Sequence, residues 1–366
     1  MSKLFVDIHV IQTVPPSCVN RDDTGSPKTA QYGGVQRARV SSQSWKHAMR
    51  QMFRDNFHES ELGVRTKKIV DMVANMILAI DDTKDTVEAK NLAMKVINAA
   101  KVQTKANEKT NESEAKALFF MSRKQAENLA KLVLTNDKPS VKEAQEALNK
   151  GYGIDIALFG RMVADDPSLN TDACAQVAHS ISTHRVDNEF DFYTAVDDCA
   201  PEDNAGAGMM GTIEFNSATL YRYASLAVHE LCREIDDPQV VGRTVQEFAR
   251  AFVLSMPTGK QNTFANQTIP DAVLVCMRLD QPINFAVSFE APVKSKGEGF
   301  VKGSCEALSQ YVLSVYNSFA VEPAKAFVVG AYLEGLGERL SLHDLIESLG
   351  NESIELLGLK SIPSEA

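Results

Sequence analysis

No run in the 366 residues approaches the roughly eighteen uncharged apolar positions that a membrane-spanning helix needs, so no membrane role is expected. The six cysteines, Cys18, Cys174, Cys199, Cys232, Cys276 and Cys305, include no CxxC pair. That spacing supports neither a zinc site nor a disulfide framework, and free thiols in a reducing cytoplasm are the expectation. The opening "MSKLFVDIHV" lacks the basic region, apolar run and small-residue site of a secretory signal. No HExxH, GxSxG or closely spaced His–carboxylate set is present, so the commonest hydrolase signatures are missing, and neither metal nor cofactor is expected. The most informative absence is of negative charge. The chain is acidic overall, with a net charge of −10, yet no Asp or Glu occurs between Asp23 and Asp55. Lys28, Arg37, Arg39, Lys46, Arg50 and Arg54 fall inside that window, together with His47.

What is present is otherwise ordinary for a globular chain, 44% hydrophobic and 23% charged, of a length that suits two domains or one elaborated domain. An acidic body does not adhere to nucleic acid at random, but one basic track on it would hold a polyanion in a single orientation. The segment "KLFVDIHVIQTV" alternates Leu4, Val6, Ile8 and Val10 against Phe5, Asp7, His9 and Ile11, the period of a half-buried strand. The Pro-, Gly- and Asn-rich segment 15–34 reads as a long loop. "VQRARVSS" alternates again, with Arg37 and Arg39 on one side. A helix then begins near Ser41, Ser42 or Ser44; its apolar stripe is Trp45, Ala48, Met49, Met52 and Phe53. Lys46, His47, Arg50 and Arg54 lie opposite that stripe, with Gln43 projecting the same way. Lys46 and His47 occupy the first turn, where the helix dipole disfavours cations and a bound anion would remove the conflict.

Residues 60–150, including "SEAKALFFMSRKQAENLAKLVL", have helical period and read as an insertion, with Lys101, Lys105 and Lys109 as a solvated ladder on a helix face. Segment 187–217 is acidic and then Gly-rich, like a projecting hairpin or arm, with Met209 and Met210 flanked by glycines. Strands are expected at "ATLYRYASLAV", "DAVLVCMRL" and "AKAFVVGAYL", and helices at "DPQVVGRTVQEFARAFVLSM" and, briefly, "SLHDLIESLG". Gly206, Gly208 and Gly211 spell GxGxxG, but no strand precedes them and no helix follows. "PTGKQN" lacks the spacing of a P-loop. His179 and His184 do not share a helical face and are expected to be structural. Asn20, Arg21, Asp22 and Asp23 share the first loop; the two carboxylates either close that loop by Asx turns or hold a metal beside a phosphodiester.

The combination "HV…PSCVNRDDTG…GGVQRARVSSQSWKHAMR", followed in order by "GIDIALFGRM", "AHSISTHRVDNEFDFYTAVDD", "GTIEF" and "YRYA", resembles the CasC-type backbone subunit of Cascade, the type I-E CRISPR surveillance complex, in the RAMP superfamily. The match covers most of the chain and is looser in 60–150 and in the C-terminal third. The resemblance implies an α+β fold: a modified RRM or ferredoxin-like palm (1–59, 151–186 and 218–366), helical fingers (60–150) and a hairpin-like thumb (187–217). It implies a non-catalytic, cytoplasmic subunit that binds crRNA, stacks head to tail with copies of itself, meets other Cascade subunits, and presents the guide for pairing with target DNA. The alternative is a metal-dependent endoribonuclease using Asp22 and Asp23. Phosphate contacts would fall on Lys28, Ser41, Gln43, Lys46 and Arg50, with Lys260, Gln261 and Asn262 as further candidates. Arg37 and Arg39 join them from the acid-free window, and Asn20 and Arg21 from the adjoining loop. Met162 and Met210 would flank a kinked nucleotide, with Phe192, Tyr193 and Met209 nearby on the thumb. Family members can be more basic just after the paired glycines, where this chain has Val35 and Gln36.

Overall fold

The computed structural model describes residues 2–107, 113–163, 166–195 and 209–359. Cys199, Lys109, Gly206 and Gly208 therefore lie outside the described residues. The chain forms two compact units, one of residues 1–52, 177–229 and 237–366, the other of 53–176 and 230–236. The helical insertion read at 60–150 lies inside the second unit, and 151–176 goes with it. The fold is α+β, and among the described residues no helix is long and apolar enough to cross a membrane.

The first unit is built on a large sheet. Its strands run in the order Glu338–Arg339, Lys325–Gly330, Ala272–Arg278, Phe5–Ser17, Met209–Ala227, Ser180–Ser182, Val35–Val40 and Thr29–Tyr32. The first strand is thus central, antiparallel to Met209–Ala227 on one side and to Ala272–Arg278 on the other. It is not half buried as its alternation suggested: Val6, Ile8 and Val10 and also Asp7, His9 and Ile11 are all buried. Helical layers cover both faces. Ile11, Tyr221 and Leu274 pack with Phe285, Leu308 and Val312 from the turn Phe285–Phe289 and the helix Val301–Ser318. On the other face Arg222, two strand positions from Gln12, reaches the helix Pro238–Leu254, against which the helix Leu342–Leu356 packs. That last helix is capped by Ser341 and runs past the short "SLHDLIESLG".

Polar side chains on the first of these faces are buried in two hydrogen-bonded groups, one around Asp7 and one around His9. Asp7 accepts the Ile283 N–H at 2.8 Å and the Tyr223 hydroxyl at 3.0 Å, while His9 Nδ1 lies 2.9 Å from the Tyr221 hydroxyl. Burial raises the Asp7 carboxyl to about 6 and lowers the His9 imidazole to about 3, so His9 is neutral.

The second unit packs the helices Ile69–Ile80, Thr86–Ala99, Arg123–Thr135 and Val141–Leu148 around Val73, Ile77, Val96, Leu129 and Leu148. Asp85, Ser122 and Ser140 cap three of them, the last two as reciprocal boxes with Gln125 and Glu143. Two parts of the helical expectation fail here. Ser113–Ala115 and Phe119–Ser122 are strands, because Phe119, Phe120 and Met121 are all buried in a short antiparallel pair with Gly63–Thr66 before the Ser122 cap starts the helix. The lysine ladder is not helical either: the helix stops at Ala99, Lys101 adopts a left-handed φ of 63°, and Lys105 lies in the strand Thr104–Ala106.

Candidate functional site

The long loop expected at 15–34 is shorter, because the first strand continues to Ser17 and Thr29–Tyr32 pairs with Val35–Val40. Tyr32 sits opposite Val35, leaving a two-residue turn in which Gly33 and Gly34 have φ of 59° and 77°, the conformation of a tight type I′ hairpin. A Cβ on Gly33 would lie 1.7 Å from the Glu290 carbonyl oxygen, so only glycine fits.

This tight docking corrects the expectation for Arg37. Its side chain is 0% exposed and cannot meet RNA. The guanidinium donates to the carbonyls of Tyr32 (3.2 Å), Ser182 (2.9 Å), Phe289 (2.8 Å) and Glu290 (3.2 Å), binding the hairpin to the turn Phe285–Phe289. Arg39, two positions on, stays half-buried, donating to the Thr29 carbonyl at 3.1 Å and approaching His179 Nδ1 at 3.2 Å. Burial, Arg39 and Lys28 hold His179 below its usual pKa, so its Nδ1 accepts from the guanidinium. His184 is structural, as expected: its Nε2 accepts the Thr219 N–H at 3.1 Å and its ring stacks on Phe300.

Asn20 organises the residues around Arg39. Its Oδ1 accepts the Ser41 N–H at 2.9 Å and its carbonyl accepts the Lys28 N–H at 2.8 Å, while the Lys28 carbonyl accepts the Arg39 N–H at 2.9 Å. Asn20, Lys28 and Arg39 consequently line one depression, together with Ser17 and Asn216. Ser41 is 6% exposed, and its carbonyl accepts the N–H groups of Ser44 and Trp45, which starts the helix Ser42–Asn56.

That helix has no acidic residue in its first turn and keeps the expected division of faces. Trp45, Ala48, Met49 and Phe53 are buried; Gln43, His47 and Arg54 are exposed; Lys46 and Arg50 are half-buried. Desolvation pushes the Lys46 ammonium below the usual lysine value, a penalty that an anion at this surface would reverse.

Lys260, Gln261 and Asn262 join the first loop. A Cβ on Gly259 would lie 2.1 Å from the Val19 carbonyl oxygen, and the Cys18 thiol, pushed up by burial, feels both Arg21 and Lys260. Lys260 holds a left-handed φ of 51°. Gln261 donates to the Gln267 side chain, and Asn262 is exposed. Asp22 closes its own loop: one carboxylate oxygen accepts the N–H groups of Thr24 and Ser26 and the Thr24 hydroxyl, and the Thr24 hydrogen bond holds the carboxyl below its usual range.

The acidic and Gly-rich segment contains a hairpin in its described part. Glu189–Ala195 runs antiparallel to the start of Met209–Ala227, with Phe192 opposite Thr212 and Ala195 opposite Met209. The register places Met209 and Met210 on opposite faces. Met210 (66% exposed) shares its face with Phe192 (63%) and with Phe190 (69%), which the sequence reading overlooked although its i, i+2 spacing with Phe192 marks one strand face. Met209 shares the other face with Tyr193, whose ring lies across Gly211 in the space that a Cβ there would take. Asn188 donates to Glu214 and accepts from Asn216 at the base of the hairpin. Met162, 87% exposed, belongs to the second unit, next to Arg161, which is buried on the carbonyl of Leu169 and against the rings of Phe119 and Tyr152.

Comparison with known proteins matches the CT1975-like protein family over residues 6–349. Among solved structures the chain is similar to a subunit of a "CRISPR RNA-guided surveillance complex, pre-nicking", with 32% identity, a TM-score of 0.82, and coverage of 95% of this chain and 100% of that one. A second, from a "CRISPR RNA-guided surveillance complex", shows 30% identity and a TM-score of 0.63, covering 95% of this chain and 99% of that one. No curated protein matches. Family match, aligned structures and the order of the sequence motifs agree: the chain belongs to the CT1975-like family and is of the Cascade backbone type.

Proposed function

We propose that this chain binds the guide RNA of a CRISPR surveillance complex as a non-catalytic backbone subunit, repeating head to tail along the spacer and leaving its bases free to pair with target DNA. The observation that carries this reading is the convergence of Asn20, Lys28, Arg39 and Ser41 beside a helix with Lys46 and Arg50 on its outer side, in a chain of net charge −10. Cations and small polar groups of this kind hold phosphates and carry no sequence information, which suits a subunit that must accept any guide. The two-faced hairpin supplies the apolar and aromatic side chains that interrupt base stacking, with Phe190, Phe192 and Met210 on one face and Tyr193 and Met209 on the other. Met162 is a further candidate for that contact, and Arg21, Gln43, Lys260, Gln261 and Asn262 are candidates to extend the phosphate track. The engagement of Asp22 within its own loop supports a scaffold over the nuclease alternative.

Purification from a host that carries a CRISPR array tests the reading: sequencing the RNA bound to the chain should return spacers. RNA unrelated to the array, or none, overturns it. Incubating the assembled complex with labelled complementary RNA and Mg²⁺ should leave that RNA intact; cleavage lost in Asp22→Ala or Asp23→Ala would install the nuclease reading instead.

A further inference from the structure

The side chain of Arg222 is 1% exposed, and no carboxylate lies within ion-pair distance of it among the described residues. Burying a cation in this way is costly, and an apolar residue of similar volume would usually serve stability as well. Three elements converge on it. Its guanidinium carbon lies 3.8 Å from the centre of the Trp45 ring and 4.8 Å from that of Phe252. It donates to the carbonyls of Phe252 and Val253, in the last turn of the helix Pro238–Leu254, where the dipole favours a cation. It also donates to the Gln12 side-chain oxygen, and the Gln12 amide donates in turn to the Thr268 carbonyl at 2.9 Å.

Each contact leads to part of the proposed RNA track. Trp45 immediately precedes Lys46, and its indole N–H is fixed on the Ser180 hydroxyl at 2.9 Å. Leu254 and Thr268 bracket the loop that carries Lys260, Gln261 and Asn262. Arg222 itself lies on the strand Met209–Ala227, whose first residues form the hairpin. We infer that Arg222 is a positioning residue, a buried joint that sets the basic helix, the 260–262 loop and the hairpin strand in register for consecutive phosphates. The inference rests on the RNA-binding reading above. A planar guanidinium stacked on Trp45 and forked onto carbonyls does this; a lysine ammonium keeps the charge and loses both the plane and the fork.

The test measures binding of a fluorescein-labelled single-stranded RNA to the full chain across a salt series, with thermal melting and the active fraction recorded alongside. Wild type should bind with a steep slope of log affinity against log salt, about 0.7 for each phosphate neutralised. Arg222 is too deeply buried to touch a phosphate, so a change of slope in Arg222→Lys reports misalignment of the track, which lower stability alone does not produce. The expected result is a roughly tenfold weaker Kd and a slope smaller by one or two phosphates' worth, at an unchanged active fraction. The weakening should shrink to less than about twofold when Lys46→Ala and Arg50→Ala are already present, because coupled groups are not additive. A folded Arg222→Lys protein with wild-type Kd and slope overturns the inference while leaving RNA binding intact. If Arg222→Lys does not fold, Trp45→Phe, which removes the indole N–H and narrows the stacking platform, is measured by the same criteria. Wild type that binds without salt dependence overturns both this inference and the reading beneath it, a result distinct from the others.

Discussion

The acid-free stretch divides into two regions of like composition and opposite use. In the strand Val35–Val40, Arg37 turns inward and spends its donors on four main-chain carbonyls. In the helix Ser42–Asn56, Lys46 and Arg50 remain half-buried on the outer side. The difference lies in what surrounds each backbone. A strand beside a covering turn meets carbonyls that need donors, and a guanidinium can satisfy several at once; a helix satisfies its own carbonyls and leaves its cations to the surface. Identical charge in sequence therefore ends as cohesion in the strand and as a cationic surface on the helix.

Charge reversal breaks this comparison most sharply. Lys46→Glu with Arg50→Glu should weaken binding of single-stranded RNA at least about a hundredfold, with the melting temperature little changed, as measured by fluorescence anisotropy and calorimetry. Arg37→Leu should do the reverse: it orphans buried carbonyls, costs about 3–5 kcal/mol in urea unfolding, and leaves the Kd of the folded fraction within about twofold of wild type.

A buried anion sharpens the rule with the sign reversed. Asp7 is 1% exposed and its carboxyl is raised from 3.8 to about 6, chiefly by desolvation. Its folded pKa exceeds its unfolded one, so protonation favours the native state. The contribution is complete below about 3.8 and is lost as pH rises through about 6, a span of about 3 kcal/mol. Urea melts at stepped pH should show that trend in wild type and its absence in Asp7→Asn. The smallest effect belongs to Arg39, which has one foot in each category: Arg39→Gln should weaken RNA binding about threefold and lower stability by about 1 kcal/mol.

Much of this was legible in the sequence, and the failures have physical causes. The helix stripe Trp45, Ala48, Met49, Phe53 was readable because an amphipathic helix buries one face whatever it packs against. Alternation in the first strand cannot reveal that Asp7 is held by Tyr223 and Ile283, and His9 by Tyr221, beneath a second helical layer. "SEAKALFFMS" kept an apolar spacing compatible with either helix or strand, and only the pairing of Phe120 with Arg65 decides between them. The sequence offers Asn20 as an RNA-binding candidate in the first loop; its role in fixing Ser41 is a contact across twenty-one positions that no local pattern encodes. The opposed faces of Met209 and Met210 follow from strand parity alone, but only once the segment is known to be a strand.

The strand Met209–Ala227 runs for 19 residues without a break, from the hairpin into the middle of the sheet. Its far half is clamped between two neighbours, while its near half has one partner, Glu189–Ala195. The pairing with the first strand shifts register between Val14 and Ser17, opposite Ala218 and Asn216, so the one irregularity in that ladder falls where the strand leaves the sheet for the hairpin. A bulge bends and twists a ribbon locally, so this position sets the angle at which the exposed aromatic stripe departs from the central sheet.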